Sequence, residues 1–292
     1  MNLTDYNEIQ ALLRRSGFHF SKSLGQNFLT AAWVPERIAE SAQLDRGAAV
    51  LEIGPGVGCL TEQLAQRAGK VLAVELDRSL EGVLSQTLAP YDNVEILYGD
   101  ILRQDIPALV RERFGDMRAV VCANLPYNVT SPLLTALLRA DCYDTITVMI
   151  QREVAKRICA APNTPDYGAF SLFVQWHARP EILFDVPPYC FHPRPKVTSS
   201  VIRLARREGK PCAVSDEELL FIIIRAAFNQ RRKTLPNALS AGLGMERAEL
   251  VRVLESCAID PGIRGEALDM VSFVKIADAI ACFRRKKEGY LS

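Results

Sequence analysis

Four short apolar runs lie between residues 49 and 123 of the chain. The runs cover residues 49–53, 71–74, 94–97 and 117–123, and the segment 59–65 between the first two repeats its apolar positions with the period of a helix. Strands buried on both faces of a parallel sheet have this composition, and helices join them. The pattern predicts an α/β fold with a Rossmann-like, doubly wound sheet.

Each of these runs ends in residues that suit ligand binding. Glycines follow the first run at 54–58, Glu75 follows the second, Asp100 the third and Asn124 the fourth. In a doubly wound sheet the carboxyl ends of the parallel strands line one crevice. We therefore expect these residues to converge on a single site.

The last third of the chain has a different pattern. From Ser215 onward apolar residues recur with helical spacing, and further helices are predicted over 247–257 and 266–281, separated by Pro261 and Gly262. We predict a catalytic domain over residues 1–208 and a small helical domain over residues 209–292.

Composition excludes several classes of protein. The 292 residues are 49% hydrophobic and 24% charged, with a formal charge of +1, which is ordinary for a globular protein. No apolar run has the roughly 20 residues needed to cross a bilayer. The eight cysteines form no Cys-x-x-Cys pair, so we expect no metal site. The start of the chain lacks the pattern of a signal peptide, and the sequence predicts a cytoplasmic protein with reduced thiols.

The spacing of the glycine loop indicates the nucleotide. A dinucleotide fingerprint would need glycine at position 59, where this chain has Cys59. The sequence instead reads Glu-x-Gly-x-Gly-x-Gly from Glu52 to Gly58, similar to the S-adenosylmethionine loop of class I methyltransferases. Glu75 lies 21 positions after Gly54, where an acidic side chain can accept both ribose hydroxyls.

The tetrapeptide Asn124-Leu125-Pro126-Tyr127 suits the placement of a flat, weakly nucleophilic amine such as that of adenine. The Asn124 side-chain oxygen and the backbone carbonyl of Leu125 would accept hydrogen bonds from the amine and draw its nitrogen toward tetrahedral geometry. Tyr127 would stack on the base. A four-residue motif alone is equally compatible with a turn, so the surrounding motifs must decide between the two interpretations.

Over nearly its whole length the chain resembles the small-subunit ribosomal RNA adenine N6,N6-dimethyltransferases, the KsgA/RsmA family. The resemblance rests on an ordered series of motifs. These are Lys22-Ser23-Leu24-Gly25-Gln26-Asn27-Phe28-Leu29, the glycine loop, Asn124 to Asn128 with Ser131-Pro132, residues 149–155, residues 191–197 and residues 229–235.

The resemblance implies a role for particular residues. Asn27, where the family can have histidine, and Leu29 would contact the cofactor S-adenosylmethionine. Gly54 would pass close to its methionine moiety, Glu75 would hold its ribose and Asp100 its adenine. Asn124 would face both the cofactor and the target amine, and the catalytic residues would be Asn124, Leu125, Tyr127 and Phe191.

Phe191 lies in a proline-rich loop, Pro187 to Pro195, that is unsuited to a helix or a central strand. From the residue alone, a hydrophobic plug between domains is the favoured interpretation. The resemblance shifts the interpretation to a second stacking face for an extruded base.

Basic residues cluster in the second half of the chain, although the whole is nearly neutral. The clusters are Arg203, Arg206, Arg207 and Lys210; Arg231, Arg232 and Lys233; and Arg284, Arg285, Lys286 and Lys287. Such clusters fit contacts with RNA phosphates.

The resemblance implies a monomeric enzyme that dimethylates two adjacent adenosines near the 3′ end of 16S ribosomal RNA, within the small subunit or an assembly intermediate, and that acts in subunit biogenesis. Three alternatives remain open. They are a large-subunit adenine methyltransferase of the macrolide-resistance type, a non-catalytic ribosome assembly factor on the same fold, and a DNA adenine methyltransferase.

Overall fold

The computed structural model describes residues 1–18 and 26–289, and of residues 286–289 only the helical backbone. The chain forms two units, one from Met1–Ala155 and Ala178–Arg206 and the other from Lys156–His177 and Arg207–Ser292. The boundary predicted after residue 208 lies two residues from the last of these breaks. Residues 156–177, which the sequence analysis gives to the first domain, belong to the second unit, because Tyr167, Leu172 and Trp176 are buried in its apolar core. The part of motif 22–29 before Gln26 lies outside the described residues.

The first unit contains the sheet. Its strands are β1 (Phe28–Leu29), β2 (Ala48–Ile53), β3 (Lys70–Glu75), β4 (Val94–Tyr98), β5 (Arg118–Asn124), β6 (Thr145–Gln151), β7 (Ala178–Val186), β8 (Phe191–His192) and β9 (Ser199–Arg206). Its helices are α1 (Tyr6–Arg15), α2 (Trp33–Ser41), α3 (Cys59–Arg67), α4 (Glu81–Thr87), α5 (Ile106–Phe114) and α6 (Thr130–Ala140). A further helix, α7 (Arg152–Cys159), crosses the break between the units.

The large sheet has the strand order β4-β3-β2-β5-β6-β9-β7. Strands β2 to β6 are parallel to their neighbours, whereas β9 runs antiparallel to β6 and β7 runs antiparallel to β9. The chain moves outward from β2 through β3 to β4 and then returns to place β5 on the other side of β2. This reversal creates a crevice at the carboxyl ends of β2 and β5, the usual place for a ligand in such sheets. The predicted doubly wound α/β fold is confirmed.

A central strand of the sheet, β2, is buried on both of its faces. All six residues of β2 are buried, and α2 and α3 cover one face with Val34, Ile38, Leu60 and Leu64. Removing such side chains from water supplies most of the free energy that holds the layers together. The strand ends, and the loops that follow them, are thereby fixed on a rigid scaffold.

A second, two-stranded sheet joins the segment before α2 to the proline-rich loop. Strand β1 pairs antiparallel with β8, so that Phe28 lies opposite His192 and Leu29 opposite Phe191. The backbone N–H of Thr30 also donates to the carbonyl of Cys190 at 2.8 Å. The two segments are therefore fixed to each other although they lie far apart in the sequence.

The second unit is helical, as the sequence predicts. Its helices are α8 (Ala169–His177), α9 (Glu217–Asn229), α10 (Leu235–Leu243), α11 (Arg247–Ser256) and α12 (Met270–Gly289). The side chain of Asp216 caps α9 by accepting from the N–H of Leu219 at 2.9 Å. The last helix begins at Met270 and not at 266, because Asp269 accepts from the N–H of Ser272 and caps the helix there.

Within the described residues, no helix has the length and the apolar content needed to cross a membrane.

Candidate active site

A pocket of about 210 Å³ opens at the carboxyl ends of β2, β3, β4 and β5. It contains every residue that the sequence analysis assigns to the cofactor. These residues are Asn27, Leu29, Gly54, Glu75, Asp100 and Asn124. Leu125 and Tyr127 of the predicted catalytic set line the same pocket, whereas Phe191 is not among its lining residues. Residues from five separate segments of the chain thus meet at the strand reversal.

The glycine loop follows β2 and turns sharply at the floor of the pocket. Gly54 and Gly56 have φ angles of +72° and +62°, in the left-handed region that glycine adopts without strain. A Cβ on Gly56 would lie 3.1 Å from the Phe28 ring, whereas a Cβ on Gly54 would meet no atom within 4 Å. Gly54 therefore leaves open space beside its backbone, where a ligand can approach closely.

Glu75 ends β3 with its side chain buried. Its Oε2 accepts from the N–H of Gly56 at 3.3 Å and its Oε1 from the N–H of Asp77 at 2.7 Å. Burial nevertheless raises the pKa of this carboxyl above its ordinary value. Each carboxylate oxygen keeps a second lone pair, so the group can still accept the two hydroxyls of a ribose.

Asp100 follows β4, and its Oδ1 accepts from the N–H of Leu102 at 2.9 Å. Leu76 comes directly after Glu75, and Ile101 and Leu102 come directly after Asp100; all three line the pocket. Leu76 is 54% exposed and Leu102 41% exposed, so both side chains present apolar surface at the pocket that a ligand could cover. The sequence analysis did not single them out, although an apolar residue after each strand-end acid was a readable signal.

Glu52 is a further residue of the pocket to which the sequence analysis assigned no role. It is 1% exposed within β2 yet lines the pocket, and its Oε2 has no hydrogen-bond partner among the described residues. Burial raises its pKa from 4.5 to about 8. The sequence did carry a signal for a special role, because Glu52 is a charged residue inside an otherwise apolar strand. A cationic group in the pocket would supply the missing partner.

The motif Asn124 to Tyr127 begins on the last residue of β5 and continues past its end. Asn124 lies opposite Met149 of β6, and the N–H of Leu125 donates to the carbonyl of Met149 at 3.1 Å. The hydroxyl of Tyr127 lies 2.5 Å from Oγ of Ser199. Burial raises the pKa of Tyr127, so the phenol is neutral at physiological pH and its ring is available for stacking.

Phe191 lies in the apolar core, with its side chain 3% exposed. Its neighbours there include Leu29, Val34, Ile38 and Val201. The structure therefore places the ring in the core of the first unit, and Phe191 does not line the pocket. Stacking on a base would require the ring to leave this core, so that role stays a prediction.

The segment before α2 closes one side of the pocket. Nε2 of Gln26 donates to Oδ2 of Asp77 at 2.7 Å, which ties this segment to the loop after β3. Asn27, Phe28 and Leu29 then line the pocket in succession. The contacts of Gln26 and of Phe28 were not foreseen, because they join residues distant in the sequence.

The basic clusters are partly neutralised within each unit. In the first unit Arg203 pairs with Glu181 at 2.6 Å and Arg206 with Asp141 at 3.0 Å. In the second, Lys210 lies 3.8 Å from Glu217 and Arg231 lies 2.6 Å from Glu266. Four further members of these basic clusters have exposed side chains: Arg232, Lys233, Arg284 and Arg285.

Comparison with known proteins supplies an independent line of evidence. The family model for "Ribosomal RNA adenine dimethylase" matches residues 17–276. The chain is 46% identical, over 282 residues, to the "Ribosomal RNA small subunit methyltransferase A" of Lachnoclostridium phytofermentans, with 95% of this chain and 97% of that protein covered.

Two solved structures resemble the whole fold. A dimethyladenosine transferase from Plasmodium falciparum has a TM-score of 0.74 and 25% identity, covering 89% of this chain and 98% of the other. The 23S rRNA methyltransferase ErmE has a TM-score of 0.66 and 25% identity, covering 87% and 99% respectively.

Proposed function

The chain belongs to the ribosomal RNA adenine dimethylase family, and on this premise we propose that it transfers methyl groups from S-adenosylmethionine to N6 of adenosines in small-subunit ribosomal RNA. The observation that carries the proposal is the meeting of Asn124, Leu125 and Tyr127 with Glu75 and Asp100 in one pocket at the strand reversal. One part of this pocket suits a nucleoside and the adjoining part suits a flat amine.

S-adenosylmethionine fits the chemistry of the side chains present. Glu75 would hold its ribose and Asp100 its adenine amine, and the apolar Leu76 and Ile101, which line the same part of the pocket, would contact the adenine. The buried Oε2 of Glu52, which has no partner among the described residues, would face a ligand that carries positive charge. Asn27, Leu29 and Gly54 would surround the methionine end. When bound, this cofactor supplies a methyl group on a positively charged sulfur.

Asn124 and Leu125 would prepare the amine that receives the methyl group. The Asn124 Oδ1 and the Leu125 carbonyl oxygen accept hydrogen bonds from the two N–H groups of adenine N6. This draws the nitrogen lone pair out of conjugation with the ring. As the nitrogen becomes cationic its N–H groups donate more strongly, so both oxygens favour the transition state over the ground state.

Positioning supplies most of the remaining acceleration. Fixed orientation of two reactants can be worth about 7–11 kcal/mol, and Tyr127 would contribute by stacking on the base. No strong base is needed, because the methylated nitrogen is acidic enough to lose its proton to water afterwards. We keep a stacking role for Phe191 as a prediction that requires movement of the ring out of the core.

Sequence similarity favours small-subunit over large-subunit RNA as the substrate. Relatives named for the small subunit reach 46% identity over 95% of this chain, whereas ErmE, named for 23S rRNA, reaches 25%. We propose two adjacent adenosines near the 3′ end of 16S RNA as the targets. The presence of Glu75, Asp100 and Asn124 in the pocket favours an enzyme over a non-catalytic assembly factor.

We further propose that the second unit contributes to RNA binding. Its exposed Arg232, Lys233, Arg284 and Arg285 have the charge needed for phosphate contacts, which would make binding weaken as salt rises. The sequence-based expectations of a monomer in the cytoplasm belong to this proposal as well.

The proposal is tested by offering the protein several polymers. The protein is incubated with radiolabelled S-adenosylmethionine and with undermethylated small subunits, undermethylated large subunits or duplex DNA, and the label is mapped. Label at adenosines of small-subunit RNA supports the proposal. Label on large-subunit RNA or on DNA alone contradicts it.

A further inference from the structure

The hydroxyl of Tyr127 contacts a residue that lies 72 positions away, at the start of another strand. Oγ of Ser199 is 2.5 Å from the phenol oxygen, at the short end of the range for O–H···O hydrogen bonds. Ser199 is completely buried, so water does not compete for its hydroxyl. The pair is therefore a persistent contact and not an incidental surface one.

Ser199 is held rigidly on both sides. It is the first residue of β9, which lies between β6 and β7, and it is opposite Gln151 on one strand and Val186 on the other. The N–H of Arg152 donates to the carbonyl of Thr198 at 3.0 Å, which fixes the residue before it. The sheet thus presents the Ser199 hydroxyl at a fixed point.

The motif that carries Tyr127 is also held by its backbone, since the Pro126 carbonyl accepts from the N–H of Val129 at 3.3 Å and from Oγ1 of Thr130 at 3.1 Å. Its backbone is attached to β6 at Leu125, through the bond to Met149. Beyond Pro126 the chain forms one turn, Tyr127–Val129, before α6 begins. The ring of Tyr127 extends from this turn into the pocket. Its distal end is held at Ser199, so the bond limits how far the whole side chain can swing about the Cα–Cβ bond.

We propose that Ser199 is a positioning residue that fixes the direction in which the Tyr127 ring extends into the pocket and thereby the place at which the target adenine presents its amine. The inference rests on the proposed function, since it assigns a stacked adenine to Tyr127. A base stacked on a ring that is held in place has its amine held in place as well, and small misplacements cost rate when reacting atoms must be aligned.

The neighbouring serine provides a matched control. Oγ of Ser200, also completely buried, donates to Oδ1 of Asp185 at 2.6 Å, and Asp185 pairs with Arg152 at 3.5 Å. Ser200→Ala and Ser199→Ala each remove one buried hydroxyl and one hydrogen bond from adjacent positions of β9. Only Ser199→Ala removes a hydrogen bond from a residue that lines the pocket, Tyr127.

The experiment measures kcat, KM for RNA, cofactor Kd and thermal unfolding for five variants of the full chain: Ser199→Ala, Ser199→Thr, Tyr127→Phe, the double variant Ser199→Ala/Tyr127→Phe, and Ser200→Ala. We expect kcat to fall about 5- to 20-fold in Ser199→Ala and to a similar extent in Tyr127→Phe, with cofactor Kd within about twofold of wild type. The double variant should be no slower than the slower single variant, because both changes remove the same contact. Ser199→Thr, which keeps the hydroxyl, should recover most of kcat.

Two results would overturn the inference while leaving the proposed function intact. One is wild-type kcat in Ser199→Ala together with the same loss of thermal stability as in Ser200→Ala, because the bond would then be only structural. The other is a double variant whose loss equals the product of the two single losses. A wild-type protein that methylates no RNA would remove the proposed function and this inference together.

Discussion

Glu52 is the side chain whose chemistry depends most on its surroundings. It lies within a fully buried strand, lines the pocket, and leaves one carboxyl oxygen without a hydrogen-bond partner among the described residues. Burial raises its pKa to about 8, so in the free protein the group is largely neutral at pH 7. A cationic ligand would favour the ionised form, and binding would then release a proton.

Glu52→Gln tests this coupling through pH. Between pH 4.5 and about 8 the folded protein keeps a proton that the unfolded chain has lost, so the free energy of unfolding of wild type should fall as pH rises through that window. The variant should lose this part of the slope, measured by denaturant titration at several pH values. At pH 8 its cofactor Kd should rise about 10- to 100-fold, since a charged hydrogen bond is worth about 1.5–3 kcal/mol. An unchanged slope and an unchanged Kd, equal to those of the control Glu62→Gln, would contradict the assignment.

Asn124 supplies the second prediction at this scale. Asn124→Ala should lower kcat about 10²- to 10³-fold, the usual loss when one polar group that stabilises a transition state is removed. Cofactor Kd, measured by calorimetry, should change much less. Asn124→Asp keeps an oxygen acceptor and should lose less activity than the alanine variant. Near-normal turnover in Asn124→Ala would show that the amide does not activate the amine.

The glycine loop is the element on which the cofactor site depends most directly. Gly56 has a φ of +62°, and an added Cβ would lie 3.1 Å from the Phe28 ring. Gly56→Ala should therefore cost about 1–3 kcal/mol of stability and weaken cofactor binding, because both the loop and the segment carrying Phe28 must shift. Gly82, in α4, has open space around it and no positive φ. Gly82→Ala should stabilise the fold by about 0.4–1 kcal/mol and leave cofactor affinity unchanged. Equal behaviour of the two variants in denaturant titration and calorimetry would refute this account of the loop.

Elements that depend on local pattern were predictable from the sequence. The strands β2, β3 and β4 and the helix α11 lie within one or two residues of their predicted bounds, because buried apolar runs and helical spacing are local signals. The convergence of Gly54, Glu75, Asp100 and Asn124 also followed, since the carboxyl ends of parallel strands meet at one edge.

Contacts between distant segments were not predictable. The pairing of Leu29 with Phe191 places that ring in the core, and the sequence carries no mark of which strands pair across such a distance. The bond between Tyr127 and Ser199 is of the same kind. Helix α8 gave no local sign of its membership of the second unit, because an apolar face packs equally well on a sheet or on other helices.

At the scale of the whole molecule, a nearly neutral chain has to bind a polyanion through local charge. The net charge is +1, and several of the predicted basic residues are engaged in ion pairs within their own units, among them Arg203, Arg206 and Arg231. Exposed pairs of this kind are worth little energetically, so their arginines can exchange partners for phosphate. We therefore propose that exposed cations such as Arg232, Lys233, Arg284 and Arg285 of the second unit contribute RNA affinity and that the pocket determines specificity.

The most direct test of the central claim is nucleoside mass spectrometry of the RNA product. Undermethylated small subunits are incubated with S-adenosylmethionine and either wild-type protein or Asn124→Ala, and the RNA is digested to nucleosides. N6,N6-dimethyladenosine should accumulate with wild type, approaching two per subunit, and should be strongly reduced with Asn124→Ala. Methylation confined to other nucleosides, or equal dimethylation by wild type and variant, would contradict it.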